Sequence, residues 1–351
     1  MDLDDVKNFE ILDQGRMIDE INGLPAQMDA AWKLGGRFPL GEISGVRQVV
    51  LAGMGGSAIG ADLVSSYVAP MATAPIIVWR DYDLPGFVAD SSTLVIVSSH
   101  SGNTEETLSA FDRASEAGAQ LVAITTGGEL AKRADDSRSP LWRFDHMGQP
   151  RAAVGFSFTL ILTLLTRLGL IPDPELEFED AMASMRSQKV SLKASSPVSS
   201  NPAKRIAGQF IGRWPLILGA GFLAPVARRW RTQIAELAKS VAQFEFLPEA
   251  DHNMVAGVVN PEALFANTMA IFLDGDHLHE RNRARLDATR QILMVEGFNT
   301  DVVRAAGASR LAQQWTSLHY GDYAAYYLAM GYGVDPTPVE AIEDLKRRLS
   351  V

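Results

Sequence analysis

The pattern that most constrains this chain is the alternation, over its first 145 or so residues, of short apolar runs with helical spacing. Residues 47–52 read as a strand that runs into GMGGSAIGAD at 53–62; further strands are predicted over 75–79, 93–98 and 121–125. Helices are expected over 108–117 and 130–134, after a leading helix in 15–34 carrying Met17, Ile18, Ile21, Leu24 and Met28. Short apolar runs without polar alternation belong to strands buried on both faces. Their alternation with helices predicts a doubly wound parallel sheet, flavodoxin-like or Rossmann-like, from Arg47 to about Asp145.

Two turns in this stretch carry chemistry. Residues 95–107, VIVSSHSGNTEET, pass from a buried strand into serines, a glycine and a helix start with acidic residues in its first turn. Hydroxyls and unpaired amides at a helix N-terminus favour an anion such as phosphate. An ordinary strand-to-helix turn also needs glycine and capping residues, so this turn alone leaves both readings open. GMGGS lets a ligand approach the backbone, but it lacks the GxGxxG spacing, and the second strand ends at Arg80 rather than at an acidic residue. A dinucleotide is therefore not expected.

The pattern then restarts. A helix over 153–168, a break at Ile171-Pro172-Asp173-Pro174 and a second helix over 177–192 lead into a linker, SSPVSSNP, at 195–202. Leu216-Ile217-Leu218 runs into Gly219-Ala220-Gly221 and a helix over 223–239, echoing residues 51–64. A strand at 243–246, then strand, helix and strand over 269–273, 278–295 and 300–304 follow, and helices over 315–330 and 338–349 close the chain. The expected division is 1–172 for a first domain, 173–202 for a connector and 203–351 for a second, duplicated domain.

Composition narrows the partners. With 32 basic and 42 acidic residues the net charge is −10, which points away from nucleic acid and anionic membranes. The absence of cysteine excludes disulfides, thiolate metal sites and a thiol nucleophile, and fits a cytoplasmic protein. The acidic start MDLDDVKNFEILDQ does not read as a signal peptide, and the apolar run 152–171, interrupted by Ser157, three threonines and Arg167, reads as a buried helix rather than a membrane span.

Gly53 to Gly60 and Ser99 to Thr107 closely resemble the first sugar isomerase (SIS) domain of the bifunctional phosphoglucose/phosphomannose isomerases. Arg80-Asp81-Tyr82-Asp83-Leu84-Pro85, Pro150-Arg151-Ala152, residues 248–253, Gly321-Asp322-Tyr323 and residues 335–340 match that family in order along nearly the whole chain. The resemblance implies two SIS domains and the interconversion of glucose 6-phosphate and mannose 6-phosphate with fructose 6-phosphate, as in glycolysis and gluconeogenesis. It implies phosphate binding by Gly56, Ser57, Ser99, Ser101 and Thr104, catalysis by Glu236, His252, Arg151 and Lys346, and a sugar pocket shaped by Thr337. It further implies a homodimer in which His252 completes the facing subunit's site. Ala61, His100 and Met254 depart from residues common in the family, and His100 adds a titratable group beside the phosphate loop.

These roles are chemically coherent. One carboxylate, Glu236, can carry a proton between C1 and C2; His252 can protonate the ring oxygen; the permanently charged Arg151 can stabilise a cis-enediolate. Such a reaction needs neither metal nor cofactor. Taken singly, the residues admit blander roles: Glu236 at the edge of a stripe of Trp230, Ile234, Leu237 and Val241, pairing with Lys239 or Arg229; Arg151 pairing with Asp145; Lys346 in a solvated helix end. The five other histidines are expected at the surface, without a metal-ligand pattern. The alternative functions are a non-catalytic sugar-phosphate-binding regulator and the isomerase half of an amidotransferase. The first lacks a basic helix-turn-helix and the second an N-terminal cysteine.

Overall fold

The computed structural model describes residues 2–349. Two helices open the chain, α1 (Val6–Leu12) and α2 (Met17–Gly35). There follow β1 (Gln48–Gly53), α3 (Gly55–Val68), β2 (Ile76–Trp79), β3 (Thr93–Ser99), α4 (Glu105–Glu116), β4 (Gln120–Thr125), α5 (Gly128–Asp136), β5 (Leu141–Arg143), α6 (Val154–Arg167) and α7 (Glu175–Leu192). The second half comprises α8 (Pro202–Phe210), β6 (Trp214–Ala220), α9 (Ala224–Ala238), β7 (Gln243–Leu247), β8 (Thr268–Asp274), α10 (Glu280–Val295), β9 (Asn299–Arg304), α11 (Arg310–Tyr332) and α12 (Glu340–Leu349).

In the packing unit Gly23–Met182, five parallel strands lie in the order β2-β1-β3-β4-β5. All residues of β3 are buried, as a central strand covered on both faces requires. Alternate side chains, Val50 and Ala52, Val95 and Val97, Leu121 and Ala123, share one core with Phe111 and Ala114 of α4 and Leu130 of α5. On α3, Gly60 permits close packing with α6, because a Cβ there would meet Ser157 Cβ at 2.7 Å. The apolar run expected as a buried helix is α6, with Val154 to Leu165 all buried. Among the described residues no helix is long and apolar enough to cross a membrane.

The other unit, Met1–Asn22 with Ala183–Val351, holds four parallel strands in the order β7-β6-β8-β9. Both sheets thus place their first strand inside, send the second to one side and build the rest on the other, as the proposed duplication requires. The packing units are not the consecutive segments 1–172, 173–202 and 203–351. Residues at the start of the chain are held by the second sheet's helices: Phe9 packs on Tyr326 and Tyr327, and buried Lys204 donates to Asp4 Oδ1 at 3.1 Å.

Three local expectations change. α9 ends at Ala238 because Lys239 turns left-handed at φ 54°, so Val241 lies outside the helix, 65% exposed, and is no part of the buried stripe. His319 is wholly buried in α11 rather than at the surface, with Nε2 2.8 Å from Ile21 O. The end of the expected linker is Asn201, whose carboxamide oxygen accepts from Ala203 and Lys204 N–H and starts α8.

Candidate active site

β1 and β3 are neighbours whose chains leave in opposite directions, β1 to β2 and β3 to β4; ligands of open α/β sheets bind outside such a strand pair. The carboxyl ends of these two strands are Gly53 and Ser99. They lie close: a Cβ on Gly53 would be 2.9 Å from Ser98 O and 3.3 Å from Ser57 Cβ. Gly55 has φ +52°, a left-handed value costly for other residues, and starts α3 without a side-chain cap. Thr104 starts α4 likewise without one. Two helix N-termini with uncapped amides thus adjoin one pair of strand ends.

The serine loop is held by its own hydrogen bonds. Ser99 Oγ and Thr104 Oγ1 are 2.9 Å apart, Gly102 N–H donates to Ser99 Oγ at 3.1 Å, and Asn103 N–H donates to Ser101 Oγ at 3.2 Å. The β4–α5 turn braces it. Thr126 Oγ1 donates to His100 O at 2.8 Å, Leu130 N–H to Gly102 O at 2.9 Å and Glu129 N–H to Asn103 Oδ1 at 3.0 Å. A Cβ on Gly102 would fall 1.8 Å from Gly127 O, so this contact requires glycine. Sequence reasoning misses the bracing role of Asn103, Gly102 and Gly127; the Gly127-Gly128 pair after β4 is its visible signal.

Arg151 joins the same place. It lies in the 3-10 turn Pro150–Ala153, is 4% exposed and donates from Nη1 to Gln149 Oε1 at 3.2 Å. Gly56 faces it: a Cβ there would meet Pro150 O at 2.9 Å and Arg151 Cα at 3.4 Å. Gly56, Ser57, Ser99, Ser101, Thr104 and Arg151 are therefore brought together. His100 is engaged beside them, its Nε2 3.0 Å from His146 Nδ1, next to the stacked Phe144 and Phe156.

The remaining candidates belong to the other unit. Glu236, half-buried in the last turn of α9, has its backbone carbonyl held by Lys239 Nζ at 2.7 Å. Arg229, considered as its partner, grips Asp322 with two bonds of 3.1 and 2.9 Å, both residues buried. α9 runs from the carboxyl end of β6 back to the amino end of β7, whereas His252 follows the carboxyl end of β7. Glu236 and His252 thus sit at opposite ends of a five-residue strand, about 16 Å long. One chain does not bring them together. Thr337 lies against Gly15, where a Cβ would be 2.3 Å from its hydroxyl oxygen, and Lys346 is exposed on α12.

At the corresponding crossing of the second sheet, between β6 and β8, Gly221 repeats φ +52°. The hydroxyls are missing there: Phe222, Leu223 and Leu278 are buried, Gln314 donates to Phe222 O at 2.9 Å and Arg310 lies over the Phe222 ring at 4.6 Å. Among the described residues, no group of three or more His, Asp or Glu side chains is placed to hold a metal ion.

A model of the bacterial phospho-glucose isomerase C-terminal SIS domain matches residues 199–349. A bifunctional phosphoglucose/phosphomannose isomerase of Caldicellulosiruptor bescii is 37% identical over 338 residues, 95% of this chain and 99% of that protein. The chain belongs to the bifunctional phosphoglucose/phosphomannose isomerase family. The Aquifex aeolicus member of this family is 35% identical over 309 residues, covering 88% of this chain and 92% of its own. A glucose-6-phosphate isomerase like protein from Thermus thermophilus shares the fold, with a TM-score of 0.65 over 97% of this chain and 98% of that one at 20% identity. The family resemblance read from the GMGGS and SSHSGNTEET motifs is borne out, as is the α/β fold with two parallel sheets.

Proposed function

We propose that this chain is an aldose–ketose isomerase that interconverts glucose 6-phosphate and mannose 6-phosphate with fructose 6-phosphate through a cis-enediolate. What supports this is the β1/β3 crossing, where Ser57, the loop carrying Ser99, Ser101 and Thr104, and two helix N-termini without side-chain caps follow neighbouring strand ends, and Gly56 packs against the turn of buried Arg151. Amides and hydroxyls suit the substrate phosphate, and a guanidinium beside them suits the two enediolate oxygens.

In the aldose-to-ketose direction His252 protonates the ring oxygen and accepts the O1 proton as the ring opens to the C1 aldehyde, and the Glu236 carboxylate removes the proton from C2. The electrons of that C–H bond form the C1–C2 double bond while the C1=O1 π pair moves onto O1, giving the enediolate; Glu236 then returns the proton to C1 as the O2 hydroxyl proton passes to O1 and C2 becomes the carbonyl. Holding the sugar by its phosphate lets one base reach both carbons. Glucose and mannose 6-phosphate give the same enediol, so rotation about C2–C3 decides which aldose forms on reversal. Thr337 shapes the sugar pocket and Lys346 assists at the site. The separation of Glu236 from His252 along β7 supports a homodimer in which the facing subunit supplies His252. The enzyme is read as cytoplasmic. The alternative, a non-catalytic sugar-phosphate-binding regulator, has no observation in its favour.

The test is to give purified protein fructose 6-phosphate and follow glucose 6-phosphate and mannose 6-phosphate separately by coupled assays. Formation of both is expected. Turnover to neither would exclude the enzyme reading, and an unchanged kcat in Glu236→Gln would remove Glu236 from the mechanism.

A further inference from the structure

The 3-10 turn Glu249–His252 follows β7, and its last two residues face opposite environments. His252 is exposed, and its imidazole has no hydrogen-bond or ring partner among the described residues. Asp251 turns inward. Arg285 Nη1 donates to its Oδ2 at 2.9 Å and Thr289 Oγ1 donates to its Oδ1 at 2.7 Å, so both carboxylate oxygens are engaged. Arg285 and Thr289 are one helical turn apart on α10 and present the same face.

A partly exposed ion pair of this kind contributes little to stability, about 0–1 kcal/mol. Here its geometry matters more than its energy. Thr289 is 2% exposed and shares the buried stripe of α10 with Leu286 and Leu293, so the hydroxyl that meets Asp251 is itself fixed by the core. A carboxylate held at two points by one rigid helix restrains the turn, and with it the direction in which the next residue leaves the backbone. The His252 ring has no partner of its own to do this.

Resting on the reading of His252 as the acid–base imidazole, we propose that Asp251, clamped by Arg285 and Thr289, is a positioning residue that aims His252 at the substrate ring oxygen. Displacing an acid–base group by roughly an ångström is enough to cost rate without altering how the phosphate is held. Loss of the clamp therefore acts on kcat and spares KM.

The experiment is a double-mutant cycle on the full chain, with kcat and KM for fructose 6-phosphate measured in Asp251→Ala, Thr289→Val, Thr289→Ser and His252→Ala, and in the first two combined with His252→Ala. Expected losses in kcat are roughly tenfold for Asp251→Ala and about threefold for Thr289→Val, with KM changed less than about twofold and Thr289→Ser near the parent. In the His252→Ala background both losses shrink to under about twofold. Equal losses in the two backgrounds would make Asp251 merely structural and overturn the proposal, as would full kcat in Asp251→Ala. If Asp251→Ala does not fold, the Thr289 pair carries the same comparison. Parent kcat in His252→Ala alone would instead overturn the reading of His252, a separately visible result.

Discussion

Gly55 and Gly221 stand in equivalent places in two sheets of matching strand order, each just beyond the inner strand's carboxyl end and each with φ +52°. Around Gly55 the chain sets Ser57, the hydroxyl-rich loop after β3 and the buried Arg151. Around Gly221 it sets Phe222, Leu223 and Leu278, with Gln314 and Arg310 closing over Phe222. The backbone feature that permits a phosphate is present twice, while the side chains that would bind one are present once. Topology nominates a site, and local chemistry decides whether it is used.

The largest expected effect separates the two crossings at a glycine. Gly56→Val drives a branched side chain into Pro150 O and Arg151, displacing the phosphate loop and the guanidinium together. The expected loss in kcat/KM is on the order of 10³-fold, about 4 kcal/mol of transition-state binding. A loss of under tenfold in a steady-state assay would mean that Gly56 and Arg151 do not act as one site.

On the other side, Phe222→Ala should cost about 3–4 kcal/mol of stability through a core cavity, yet leave KM of the folded protein unchanged. Chemical denaturation and initial-rate kinetics read the two quantities separately; a raised KM would assign ligand binding to the second crossing as well. Next in size, the double variant Ser101→Ala with Thr104→Ala should raise KM about a hundredfold, because two hydrogen bonds to a charged phosphate are worth roughly 1.5 kcal/mol each. Unaltered KM would move the phosphate elsewhere.

The smallest effect concerns the buried polar groups that the second unit uses for stability. Burial lowers the pKa of His319 to about 4, despite its bond to Ile21 O and the nearby Asp322 carboxylate, with Lys189 adding to the fall. The unfolded chain, with its ordinary value near 6.5, takes up the proton first. Stability is therefore complete above about pH 6.5 and is lost as pH falls towards 4, by about 2 kcal/mol at pH 5. His319→Gln keeps a donor for Ile21 O without the titration, so its Tm should fall less between pH 6.5 and 5; identical pH profiles would remove His319 as the cause.

Legibility followed the length and redundancy of each signal. β3 is a run of apolar residues ending in hydroxyls, and its role in sheet and loop could be read directly. β5 has only three residues and no period to detect, and Trp142 holds it in place through Nε1 to Pro39 O at 2.9 Å. α8 was hidden because Ser-Asn-Pro is equally a turn and a helix start until the Asn201 cap is seen. Phe9 and His319 are single residues whose burial depends on distant partners, Tyr326 with Tyr327 and Ile21. Of the candidate site, the serine loop after β3 was legible as a structure because strand, hydroxyls and helix start are contiguous. Its bracing by Gly127 and Asn103, and the pairing of His100 with His146, join segments far apart in sequence.

The central claim is that substrate phosphate is held at the β1/β3 crossing. Its most direct test is a crystal structure of the slowed Glu236→Gln variant soaked with fructose 6-phosphate. The phosphate oxygens are expected to accept hydrogen bonds from the Ser57, Ser99, Ser101 and Thr104 hydroxyls, with the β6/β8 crossing still filled by Phe222. A phosphate bound anywhere else, with those hydroxyls unengaged, would contradict the account.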